Sequence, residues 1–63
     1  MEAHQERVIK EQGDLDFKIG KLSSFITGDV YPTLNEAEQY RLSRQLGIMQ
    51  QYSEVLGERI GAF

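Results

Sequence analysis

Sixty-three residues make one small domain, and the chain carries no cysteine, one histidine (His4), one proline (Pro32) and a formal charge of −3 from ten acidic and seven basic side chains. Without thiols there are no disulfide staples and none of the usual zinc ligands, so self-association is the remaining support for so small a fold. An acidic total excludes a broad surface for nucleic-acid polymers but not a small anionic ligand held by a few cations; no apolar run nears the roughly 18 residues that cross a bilayer and no leader pattern opens the chain, so a soluble cytoplasmic protein without a membrane partner is expected.

From about Glu2 to Thr27, Val8, Leu15 and Leu22 recur every seven residues, with Ile19 and Ile26 at the alternate positions, which predicts a helix with one apolar seam. The earlier members of the alternate set are Gln5 and Gln12, both polar. Next comes "GDVYPT" at 28–33, where Gly28 can take the left-handed conformation that ends a helix and Pro32 fixes a turn, pushing Tyr31 out of helical geometry. Thr33 with Glu36, or Asn35 with Glu38, can form the capping box of a second helix. That helix, over about 34–62, has a seam of Leu42, Leu46, Met49, Leu56, Ile60 and Phe63, interrupted by Ser53. A connection this short folds the two helices back as an antiparallel hairpin, so the fold class is all-α.

In register, Leu22 meets Leu42, Leu15 meets Met49 and Val8 meets Leu56; Gln12 then faces Tyr52, and Gln5 faces Arg59 with Arg7 and His4 near by. This polar layer has two readings that can coexist. It can fix register or oligomeric state at some cost in stability, or its amides can read a base or ribose while Arg7 and Arg59 hold phosphate. Off the seam, Lys10, Gly13, Phe17, Gly20 and Ser24 line one stripe and Arg44, Gly47, Ile48, Gln51 and Val55 another. Glycine inside a helix costs roughly 1 kcal/mol relative to alanine, so its repeated use here predicts close approach by another protomer and a homo-oligomer.

Catalysis has little support, because the one histidine sits in the first turn with no evident carboxylate to orient it and no activated nucleophile beside it. Glu6 with Lys10, and Asp14 with Lys18, form i,i+4 pairs on a solvated face, and a hard-metal site would need convergent oxygens; neither a metal nor another cofactor is expected.

"HQERV" at 4–8, Glu11, Leu15, "KLSSFI" at 21–26, Tyr31, Gln45, Met49 and "YSEVLGERI" at 52–60 together resemble the helical hairpin domain shared by phage anti-CBASS and anti-Thoeris signal sponges. The resemblance implies a non-enzymatic protein that assembles as a compact oligomer, typically a hexamer. Such proteins sequester cyclic nucleotide or cyclic ADP-ribose-type immune signals in the host cytoplasm during infection, in pockets between protomers. It implies Gln5, Arg7, Lys21, Phe25, Tyr52 and Arg59 as ligand-binding positions, with Asn35 as an outlying candidate; Phe25 and Tyr52 would stack on bases, and Arg7, Lys21 and Arg59 would neutralise phosphates. The β-rich N-terminal part added in anti-Thoeris members is missing here, which turns the expectation toward a cyclic di- or trinucleotide. Phe17, Gly13 and Gly20 also depart from the family by lying on a face that is usually more polar. The alternative function is a structural or adaptor hairpin that binds a partner protein through its second stripe.

Overall fold

A computed structural model describes residues 1–63 as two long helices, α1 (Ala3–Ile26) and α2 (Glu36–Gly61), joined by a turn of 3-10 helix over Tyr31–Thr33. They lie side by side as an antiparallel hairpin, a rod of 46 × 15 × 13 Å. The seven-residue spacing places Val8 and Leu15 on the same face of α1, and both are buried there against Leu56 of α2, which is 1% exposed. Ile19, Met49 and Ile60 pack around these three as partly buried neighbours. Phe63, expected to extend the second seam, lies beyond the end of α2 and is about half exposed, because the helix stops at Gly61 and the last residues leave the seam.

Each helix end is closed by local chemistry. At the start of α1 the Gln5 side chain accepts from the Glu2 backbone N–H at 3.0 Å, which satisfies a donor that would otherwise have no partner. At its end Gly28 does not take the left-handed conformation expected of it, since no residue in the chain has a positive φ. The last turn tightens instead: Gly28 N–H bonds to the Phe25 carbonyl at 3.1 Å, and the Thr27 hydroxyl reaches the Ser23 and Ser24 carbonyls at 3.2 Å each. Glycine eases this close turn, because a Cβ would lie 3.3 Å from the Ser24 carbonyl oxygen and press on the backbone by a few tenths of an ångström.

Pro32 breaks the helix while leaving Tyr31 in the 3-10 turn rather than in extended backbone. The Tyr31 hydroxyl donates to the Gln39 carbonyl at 2.9 Å, and the Gln39 amide donates back to the Leu34 carbonyl at 2.8 Å, tying the turn to the first turns of α2. Of the two capping residues considered, Asn35 caps α2: its Oδ1 accepts from Glu38 N–H at 2.8 Å, while the Glu38 carboxylate turns to Arg41 at 2.9 Å. Thr33 instead donates to the Val30 carbonyl at 2.6 Å. Glu36 and Glu38 in the first turn and Arg59 in the last complement the dipole of α2.

Candidate functional site

Val8, Leu15 and Leu22 hold one face of α1 against α2, and the neighbouring stripe on α1 is Arg7, Glu11, Asp14 and Lys18, spaced to share a helical face. With Lys10, Leu15 and Tyr52 of α2 these residues line an open groove of about 450 Å³. Leu15 gives the groove an apolar floor, and Tyr52 adds a half-exposed aromatic ring from the second helix. Three cations and two carboxylates meet there. Lys10 and Asp14 satisfy each other at 2.7 Å, and that hydrogen bond, reinforced by the carboxylate's charge, raises the Lys10 pKa above its ordinary 10.5. Arg7, Glu11 and Lys18 form no side-chain hydrogen bond or ion pair, although Lys18 was expected to pair with Asp14 and Glu6 with Lys10. All these pairings are one helical turn long, and the single pair formed is the one between Lys10 and Asp14.

The groove brings together two of the seven residues proposed from sequence, Arg7 and Tyr52. Gln5 is engaged in the cap of α1 and Asn35 in that of α2. Lys21 lies 4.9 Å above the centre of the Phe17 ring, a cation–π contact within its own helix. Phe25 sits near the turn, and Arg59 occupies the last turn of α2 at the opposite end of the rod. At 1.5 Å of rise per residue, Gln5 and Phe25 are about 30 Å apart along α1, so one hairpin cannot gather all seven around one ligand. Lys10, Asp14 and Lys18 were absent from the set expected from sequence because they read as solvated i,i+4 pairs, and Glu11 entered only as a motif position of the resemblance. Their shared stripe with Arg7, next to the seam, was the signal available.

The polar layer also has a different composition from the one expected. Gln12 does not face the Tyr52 ring: it donates to the Ser53 carbonyl at 3.1 Å, and the Ser53 hydroxyl donates in turn to Asp16. A one-residue shift along α2 turns a position by about 100°, which is why Tyr52 faces the groove while Ser53 faces α1. Gln12, Asp16 and Ser53 therefore link the two helices, outside the groove lining.

Over residues 2–62 the sequence matches the Sequestin family. The chain belongs to that family, the cyclic-nucleotide sponges of phages. This Sequestin-family chain is also 38% identical, over 63 residues that cover all of it and 98% of the relative, to an uncharacterized 7.5 kDa protein in the denB-rIIB intergenic region of Enterobacteria phage T4. No solved structure matches it. Sequestin is a sequestering rather than a catalytic family, and neither helix of this member is long and apolar enough to cross a membrane.

Proposed function

We propose that this chain is a sponge: it binds a cyclic nucleotide immune signal in the cytoplasm of an infected host, without turnover, and so blocks a defence such as CBASS or Thoeris. The observation that carries this reading is the groove on a Sequestin-family hairpin, where Arg7 and Lys18 have no partner and Tyr52 offers a ring for stacking. Unpaired cations beside an exposed aromatic suit a phosphate joined to a base. Among the sequence-derived candidates, Arg7 and Tyr52 are the residues assigned to the ligand. The leading ligand class is a cyclic di- or trinucleotide, with cyclic ADP-ribose-type signals as the second.

The same reading includes a homo-oligomer, with a hexamer as the state to test. Only three residues are buried in the hairpin, while Phe17, Ile48 and Val55 stay 66%, 54% and 52% exposed. A core that small gives weak support to 63 residues, and large exposed side chains of this kind are covered in assemblies. Gly13, Gly20 and Gly47 have open space where a Cβ would stand, which leaves room for a neighbouring helix.

Two measurements test the proposal. Purified protein is melted with a panel of cyclic di- and trinucleotides and cyclic ADP-ribose-type compounds, and any stabilising ligand is recovered after heating. A raised melting temperature with intact ligand supports the sponge; no shift with any compound, or a linearised product, overturns it. Sedimentation then reads the assembly, and a folded monomer at micromolar concentration removes the oligomer.

A further inference from the structure

We infer that copies of this chain associate front to back, the acidic, glycine-lined side of one hairpin receiving the cationic, aromatic side of the next; this rests on the homo-oligomer of the sponge reading and names the surfaces that form it. The groove marks the front of the hairpin. At about 100° per residue, the positions one and five places after Val8, Leu15 and Leu22 in α1, and after Leu42, Met49 and Leu56 in α2, lie on the opposite side, the back. The contacts agree with this division. Asp16 takes the Ser53 hydroxyl and a Cβ at Gly57 would meet Gln12 on the back, whereas Tyr52 reaches the groove.

Composition divides along the same line. Five of the six glycines, Gly13, Gly20, Gly47, Gly57 and Gly61, fall on the back, and at all of them but Gly57 a Cβ would meet nothing within 4 Å. None of the seven lysines and arginines falls there, while Glu6, Asp16 and Glu54 do. The cations occupy the front and the outer edges of the helices. Among the large exposed apolar side chains of the two helices, Phe17, Phe25, Ile48, Tyr52 and Val55 accompany them, and Ile9 and Tyr40 stand on the back. Lys21, 4.9 Å above the centre of the Phe17 ring, joins charge and apolar surface in one unit.

Two backs placed together oppose carboxylates, and two fronts oppose cations, so like surfaces repel. Front against back pairs unlike charges and seats large side chains where glycine leaves the backbone open. A rod 46 Å long and 15 Å wide offers on the order of 700 Å² on one face, close to the roughly 800 Å² that each partner buries in a stable interface. Because the two surfaces differ, the contact is heterologous, and copies joined by it close into a ring or continue as a fibre.

The test mixes wild-type protein with the same chain labelled in nitrogen, cross-links lysine to carboxylate with a water-soluble carbodiimide, and maps the products by mass spectrometry. Links between copies should run from Lys10, Lys18 or Lys21 to Glu6, Asp16 or Glu54. Links between copies confined to Glu11, Asp14, Glu38 and Glu58, the acids of the front and edges, overturn the inference while the oligomer survives. Gly20→Leu and Gly47→Leu give a second readout. Each puts a better helix former where the hairpin itself is empty, so circular dichroism should show no loss of helix while sedimentation shows loss of the assembly. Variants that assemble like the wild type overturn the inference, and a wild type that sediments as a monomer overturns both it and the oligomer.

Discussion

The Gln12 amide donates from Nε2 to the backbone carbonyl of Ser53, 3.1 Å away on the opposite helix. In an α-helix that carbonyl also accepts from the N–H four residues on, which here belongs to Gly57. A side chain at 57 would lean back over the same carbonyl, since Cα–Cβ bonds tilt toward the helix N-terminus. A Cβ there would lie 3.1 Å from Gln12 Nε2, so a side chain at 57 would push that amide back by a few tenths of an ångström.

This arrangement predicts an energetic coupling between the two positions. Gly57→Ala gains about 1 kcal/mol of helix propensity but strains a hydrogen bond with a net value of about 0.5–1.5 kcal/mol, so alone it should gain less than the full propensity term. In a Gln12→Ala background the same substitution should show its full gain of about 1 kcal/mol. Thermal melts of the four proteins in a double-mutant cycle measure this, and additive effects would mean that the bond does not constrain position 57.

Asn35→Ala removes the cap of α2 and should destabilise the protein by about 1 kcal/mol, with Asn35→Ser losing much less. Tyr31→Phe removes the hydroxyl that ties the turn to the Gln39 carbonyl and should cost about 0.5–1.5 kcal/mol. Both substitutions should leave ligand affinity unchanged, since neither residue lines the groove. Urea denaturation paired with ligand titration separates the two effects.

The Lys10–Asp14 pair sets a pH dependence at one residue. Its hydrogen bond and charge raise the folded-state pKa of Lys10 above the ordinary 10.5. The pair's contribution is therefore full below pH 10.5 and is lost as pH rises through the folded-state value. Both side chains are exposed, so the readout is NMR titration of the Lys10 side chain rather than a melting curve. Asp14→Asn should return Lys10 to the ordinary lysine value; a titration that Asp14→Asn does not move would show that the pair is absent in solution.

Two arginines test where the ligand sits. Arg7→Ala should weaken binding of a cyclic nucleotide by about 1.5–3 kcal/mol, the worth of a hydrogen bond to a charged group, and leave the assembly intact. Arg59→Ala should hold affinity within about two-fold and cost about 0.3–1 kcal/mol of stability at the C-terminal end of α2, where its charge meets the helix dipole. The opposite ranking would move the site from the groove to the open end of the rod.

The helical hairpin was legible in the sequence because its cause is local. A seven-residue apolar period, a short connection with Pro32 and an Asn35 cap each act within a few residues, and a two-helix chain has few ways to pair its seams. The resemblance carried by "HQERV", "KLSSFI" and "YSEVLGERI" was legible for the same reason, since those residues are read in order. Side-chain partnerships were decided by the tertiary structure. Whether Lys10 turns to Glu6 or Asp14, whether Gln12 meets Tyr52 or Ser53, and whether Gly28 goes left-handed or closes a tight turn are choices between alternatives of nearly equal local energy. Gln5 shows the limit most simply: its place in the seam pattern allowed either a layer with Arg59 or a cap, and the free Glu2 N–H at the helix start took its oxygen. The groove joining Arg7, Glu11, Lys18 and Tyr52 exists only when α2 lies against α1, because one of its walls comes from a residue far away in the chain.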